Sequence, residues 1–256
     1  MRAKLTGIVL RTVDTGESDR VVTLLTRERG KVAAFARGAR ASRRRFGGSL
    51  EPFTLVAAEV RERSGSELLG LESVTPIEAH GGIRGDLARI ACAGYAAELA
   101  RELVRDHEPH DDLFDLLVAY LAALDAGPAR PAALRAFELG ALRAGGLSPR
   151  LDACARCGRP PPAAGPARFD PAQGGILCEA CAPLAAPGTP SLSPATAAAL
   201  ARLSRGGLRG AHAESLPPPA GREARDALTA FLEHHLGKRL QARRFLDEVA
   251  PLLADG

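Results

Sequence analysis

Two pairs of cysteines constrain this chain more than any other feature. Cys154-Ala155-Arg156-Cys157 and Cys178-Glu179-Ala180-Cys181 form a CxxC…CxxC pattern with 20 residues between the pairs. A two-residue spacer lets both thiolates of one tight turn face a single ion. Two such turns then supply a tetrahedron with sulfur about 2.3 Å from zinc. Gly158 and the Gly174-Gly175 pair provide the permissive backbone those turns need. Residues 150–185, rich in Pro, Gly and Ala and without apolar periodicity, are therefore expected to fold around one structural Zn2+ per chain. All four positions are thiols, which leaves no open site for water and argues against catalysis at the metal. The fifth cysteine, Cys92, lies in an apolar helical stretch and reads as a small buried side chain.

Thiols of this kind stay reduced in a cytosol. The opening residues turn polar too soon for a signal peptide, and no apolar run approaches the roughly 18–20 residues of a membrane span. The expected location is cytoplasmic, with no membrane partner.

Ahead of the cysteines, residues 1–80 carry strand signals. Residues 7–13 (GIVLRTV) and 20–26 (RVVTLLT) flank the break at 15–19 and read as a hairpin. A third strand is expected over 31–38, then a Gly/Arg/Ser interruption to Gly48, then strands over 53–63 and 67–75 around the turn 64–66. Five short strands with one long connection between the third and fourth fit a small closed barrel such as an OB-fold, with an open five-stranded sheet as the alternative. From about residue 83 the period becomes helical, with helices expected near 87–101, 111–124, 130–144, from Ser193-Pro194, and over 221–236 and 238–253. The fold class is thus α+β: a barrel over 1–80 and a helical domain over 81–256 with the zinc module at about 150–185.

The net charge of +4 is uneven. Residues 1–80 hold 14 Lys+Arg against 10 Asp+Glu, and residues 81–256 hold 20 against 20. From Arg20 to Arg45 nine basic residues face a single acid, Glu28. Such a field attracts a polyanion, nucleic acid above all; a solvated surface in an arginine-rich chain is the bland alternative. Arg37, Arg40, Arg43, Arg44 and Arg45 are the candidate phosphate contacts. Phe46 among them is a candidate base platform, while Phe35 and Phe53 read as core. No phosphate loop, GxGxxG, HExxH or GxSxG motif occurs. The chain is not expected to be an enzyme.

Three stretches carry a resemblance to a known family. The first comprises 7–10 (GIVL), 16–20 (GESDR), 26–31 (TRERGK), Gly38-Ala39-Arg40 and Pro52-Phe53. The second runs from Phe137-Glu138-Leu139 through 146–158 (GLSPRLDACARCG) to 174–178 (GGILC). The third is 235–240 (HLGKRL) with 243–246 (RRFL). In order and spacing the chain resembles RecO, the bacterial recombination mediator of the RecF pathway. The resemblance implies an N-terminal OB-fold, a helical C-terminal domain with an inserted zinc module, and roles in DNA repair and recombination after DNA damage. It implies binding of single- and double-stranded DNA and strand annealing without ATP. With RecR, such proteins help load the recombinase onto DNA coated by single-strand-binding protein, whose acidic, apolar C-terminal tail docks on the helical domain. Nucleoid association follows from the same likeness. One departure is the nearly pure arginine run Arg43-Arg44-Arg45, where relatives mix Lys, Arg and Ser; arginine contacts phosphate readily.

The sequence itself leaves the docking site open. Arg135, Leu139, Leu142 and Arg143 fall along one helical stripe, which is either a mixed apolar and basic groove or simply core leucines beside solvated arginines. Lys238, Arg239, Arg243 and Arg244 are a second candidate cluster for partner or DNA contact. A zinc-ribbon and OB module that binds RNA in transcription or translation stays open as the rival function.

Overall fold

Alternation of apolar and polar residues drives the first 78 residues into five strands. In the computed structural model, which describes residues 2–63 and 65–253 but not the Arg43 side chain, these are β1 (Arg2–Thr15), β2 (Asp19–Thr26), β3 (Gly30–Ala36), β4 (Leu55–Arg61) and β5 (Leu69–Glu78). They close into a barrel in the order β1-β2-β3-β5-β4. Neighbours are antiparallel except at the β3–β5 seam, which is parallel and pairs Ala34 with Leu69 and Phe35 with Gly70. The open-sheet alternative is excluded. β1 is longer than the apolar run suggests because it pairs β4 from Arg2 to Ile8 and β2 from Gly7 to Thr15, with a register shift between Val9 and Arg11 in the β2 ladder. Val9, Val22, Leu24, Val32, Val56 and Leu71 fill the interior. Of the expected turn 64–66, Ser64 lies outside the described residues.

The long connection is not merely an interruption. It contains a single helical turn, α1 (Arg43–Phe46), whose preceding Ser42 hydroxyl accepts from the Arg45 N–H at 3.4 Å. That turn carries Phe46 into the barrel core, where it is 2 % exposed.

α2 (Leu87–Leu103) is capped by the Asp86 carboxylate, which accepts from the Arg89 N–H at 2.9 Å. α3 (Asp111–Ala126) opens with Asp111 and Asp112, favourable charges at a helix N-terminus. Both pack with the barrel in one compact unit, residues 1–127. The join is specific. Gly30, at φ +63, lies so close to the Glu108 carbonyl that a Cβ would overlap it. The neighbouring Lys31 Nζ donates to the Arg101 and Val104 carbonyls at the end of α2, both at 2.9 Å, and pairs with Asp106 at 3.3 Å.

The second unit, residues 128–256, contains α4 (Pro131–Ala144), α5 (Pro194–Gly210), α6 (Pro218–Leu236) and α7 (Ala242–Val249). Between α4 and α5 lie three short strands, β6 (Ala167–Asp170), β7 (Gly175–Leu177) and β8 (Ser191–Leu192), ordered β7-β6-β8. Ser193 caps α5, its hydroxyl accepting from the Thr196 N–H at 3.3 Å, with Pro194 in the first turn as the sequence implied. α6 ends at Gly237, φ +66, and α7 starts only at Ala242, so residues 238–241 lie outside the helix expected to begin at 238. No helix among the described residues is long and apolar enough to cross a membrane.

Candidate nucleic-acid interface and metal centre

The basic residues of the barrel divide by what holds them. Arg20 pairs with Asp14 at 2.9 Å and Glu51 at 3.6 Å, Arg29 with Glu62 at 3.3 Å, and Lys31 caps α2. Arg27 binds Asp115 and lies 4.7 Å over the Phe114 ring. These four serve the fold. The rest cluster on the segment after β3. Arg40 donates to the Glu17 carbonyl at 3.2 Å and is exposed; Arg45 donates to the Arg37 carbonyl at 2.7 Å and to the Ser42 hydroxyl at 3.2 Å. The exposed Arg37 and Arg44 side chains meet no carboxylate within 4.0 Å among the described residues. Arg43 lies outside the described side chains.

Phe46 corrects the sequence expectation. It is packed inside the barrel with the Arg45 guanidinium 5.0 Å from its ring, so no base can stack on it in this fold. Phe35 and Phe53, expected in the core, are instead half-buried.

The four cysteines converge as the spacing requires. Their sulfurs all lie within 4.8 Å of one another, with Cys157 Sγ 3.6 Å from Cys178 Sγ and 3.7 Å from Cys181 Sγ. A zinc tetrahedron with bonds of about 2.3 Å has sulfur–sulfur edges of about 3.8 Å, so the donor set fits the ion. Cys154, Cys178 and Cys181 are buried, and Cys157 faces solvent. Burial opposes ionisation of Cys154, but backbone N–H groups of Cys178, Cys157 and Arg156 outweigh it and bring its pKa down to about 6. Cys181 is pushed up to about 12 by burial and by hydrogen bonding among the neighbouring thiols. A cation among the four sulfurs would favour their thiolate forms. Two backbone strands align the turns: Arg150 N–H donates to the Gly174 carbonyl at 2.9 Å, and Ile176 N–H to the Arg150 carbonyl at 3.0 Å. Cys92 is fully buried in α2, as expected.

In the second unit Leu139 and Leu142 are core and Arg143 is exposed, as the plainer of the two sequence readings had it, but Arg135 is not solvated. Arg135 is 4 % exposed and its Nη1 lies 3.0 Å from the fully buried Glu138 carboxylate. Arg243, 3 % exposed, approaches Glu138 at 4.0 Å and Asp247 at 3.1 Å. A buried carboxylate can hold two guanidiniums out of water only when all are paired, and this overrides the surface periodicity of α4. Arg143 donates to the Ser204 carbonyl at 2.8 Å. Arg239 pairs with Asp247 and Glu233, and Arg244 with Glu248; Lys238 is exposed. Beside the buried cluster opens a cavity of about 450 Å³ lined by Leu134, Arg135, Leu216, Arg222, Arg243 and Leu246 among others. Periodicity could not reveal it, because its walls come from α4, α6 and α7.

Comparison with known proteins agrees with these features. The family model described as "Recombination protein O N terminal" matches residues 1–80, and "Recombination protein O C terminal" matches residues 84–244. The chain is 75 % identical over 252 residues to a "DNA repair protein RecO" of Anaeromyxobacter dehalogenans, covering 98 % of each. It is 47 % identical over 243 residues to that of Myxococcus xanthus, covering 95 % of this chain and 96 % of the relative. With the Geobacter sulfurreducens protein of the same name the identity is 43 % over 246 residues, covering 96 % and 97 %. A five-stranded barrel, a helical second part and a four-cysteine centre in this order, matched along nearly the whole length, place the chain in the RecO family of DNA repair and recombination proteins.

Proposed function

We propose that the chain is a recombination mediator that binds single- and double-stranded DNA, anneals complementary strands without ATP and, with RecR, helps load the recombinase onto DNA coated by single-strand-binding protein. The observation that carries this reading is the cluster of exposed arginines after β3, in which Arg37 and Arg44 meet no carboxylate within 4.0 Å among the described residues, on a family member's barrel. Annealing brings two polyanions together, and the Coulomb cost falls when fixed cations replace condensed counterions along both backbones. Guanidiniums contact phosphate without reading bases, so sequence preference is weak. DNA binding then belongs to residues 1–80, and partner contacts to residues 81–256, with a structural Zn2+ held by Cys154, Cys157, Cys178 and Cys181. The mediator works in the cytoplasm on the nucleoid.

The acidic, apolar tail of single-strand-binding protein is assigned to the cavity beside Arg135 and Arg243. Leu134, Leu216 and Leu246 offer apolar contact, and Arg222 offers an exposed cation. Arg222→Glu is expected to weaken a tail peptide and spare naked single-stranded DNA.

The decisive experiment is annealing of fluorescently labelled complementary strands by the purified full chain without nucleotide, at several salt concentrations. Acceleration that declines steeply with salt is expected. No acceleration at any salt, or equal action only on RNA, refutes the reading.

A further inference from the structure

β3 turns Val32, Ala34 and Ala36 into the barrel and therefore Ala33 and Phe35 outward. Across the barrel's outside, Phe35 pairs with Val21 on β2, and Val21 with Val13 on β1. Val13 is 42 % exposed, and Val21 and Phe35 are half-buried. On its other side Phe35 faces Gly70 of β5. A Cβ at Gly70 would touch Arg63 Cγ and Cδ at 3.7 Å, so the Arg63 stem runs across the bare glycine. Its guanidinium carbon ends 5.2 Å from the centre of the Phe35 ring. Arg37 follows two residues along the same strand direction, and Arg11 stands one outward row away, opposite Thr23. Arg11, Arg37 and Arg63 meet no carboxylate within 4.0 Å among the described residues. The result is an apolar and aromatic strip bordered by three available cations.

This combination complements single-stranded DNA, whose flat bases are exposed beside regularly spaced phosphates. A duplex hides its base faces in its own stack, and an acidic peptide has no planar ring repeated beside every anion. We propose that Phe35 is a base-stacking residue for single-stranded DNA, and that Arg63 yields the ring face to an incoming base and turns to the adjoining phosphate. The assignment rests on the DNA-binding function proposed above and adds to it the element that distinguishes single strands from duplex.

The test uses the full chain and oligo(dT). Phe35→Ala is expected to weaken single-strand binding by about 5- to 150-fold, the equivalent of roughly 1–3 kcal/mol for one stacked base. The dependence of affinity on salt should keep its slope, since no phosphate contact is lost, and duplex binding should stay within about twofold. Phe35→Leu, which keeps the apolar bulk, should lose the same affinity, and Phe35→Trp should restore it. The chain has no Trp of its own, so the indole fluorescence of the Phe35→Trp variant reports the contact directly and should be quenched by oligo(dT). A wild-type chain that binds oligo(dT), together with an unweakened Phe35→Ala variant and an unquenched Phe35→Trp variant, overturns the stacking role alone. A wild-type chain that binds no DNA overturns the proposed function and this assignment with it.

Discussion

Replacing Phe46 by Ala separates a core residue from a base platform. The side chain is 2 % exposed and lies among barrel residues from several strands. A buried phenylalanine removes about 150–250 Å² from water, which at about 25 cal/mol per Å² corresponds to about 4–6 kcal/mol of transfer free energy. Alanine keeps the Cβ and the site relaxes in part, so a loss of about 3–5 kcal/mol is expected. For a cooperative unit of this size that is a fall in melting temperature of about 12–20 °C. Thermal unfolding of the full chain followed by circular dichroism measures it, and titration of labelled oligo(dT) well below the transition measures binding. The folded fraction of the variant should bind nearly as well as the parent. If Phe46 instead held a base, melting would hardly move and affinity would drop by about 1–3 kcal/mol. That pattern would refute its placement in the core.

Three further outcomes are expected. Arg37→Ala combined with Arg44→Ala should flatten the plot of log affinity against log salt on single strands by about 1.4, or 0.7 per lost phosphate contact, whereas Arg27→Ala, already bound to Asp115, should leave that slope unchanged. Metal analysis of protein purified without chelator should give one zinc per chain; Cys157→Ser should abolish stable retention and loosen the module, sites of this type being worth roughly 10–16 kcal/mol, while Cys92→Ser should retain the metal. His235 is exposed but has its ring 4.3 Å from the Phe231 ring, and this partial desolvation, followed by the neighbouring His234, holds its pKa below the ordinary 6.5; protons therefore favour the unfolded chain, and a small contribution to stability, full above about pH 6.5, is lost as pH falls below it, so His235→Phe should slightly reduce the acid-side decline in denaturant titrations.

The parts of this architecture written locally could be read from residues alone. The barrel strands announce themselves by β-branched alternation broken at Gly16 and Gly30, and the four-thiol centre by the spacing of its turns. Features set by distant chain were hidden. Phe46 looks like an exposed aromatic among arginines because nothing nearby shows that one helical turn aims it inward. Arg27 and Lys31 look like parts of a phosphate-binding field until Asp115 and the carbonyls at the end of α2 arrive from 70–90 residues away. Arg135 has the spacing of a surface stripe, and only Glu138 with Arg243 explains its burial. Phe35 hides for the opposite reason: its alternation says outward, but its apolar surroundings in sequence say core.

The parallel β3–β5 seam has a consequence for the order of assembly. β1–β2 and β2–β3 meet through short turns, and β4 and β5 are likewise near neighbours in the chain, so these hairpins close cheaply. The seam joins Phe35 to Gly70 across some 35 residues through two residue pairs, whereas β1 and β4 close a longer loop, from Arg2–Arg61 to Ile8–Leu55, but gain seven pairs; of the barrel's long-range contacts the seam therefore has the least pairing to offset its loop entropy. It should be the last barrel contact to form during folding and the first to open. A nascent or partly denatured chain would then present its arginines before it owns a completed surface for bases, attracting polyanions indiscriminately until the final strand docks.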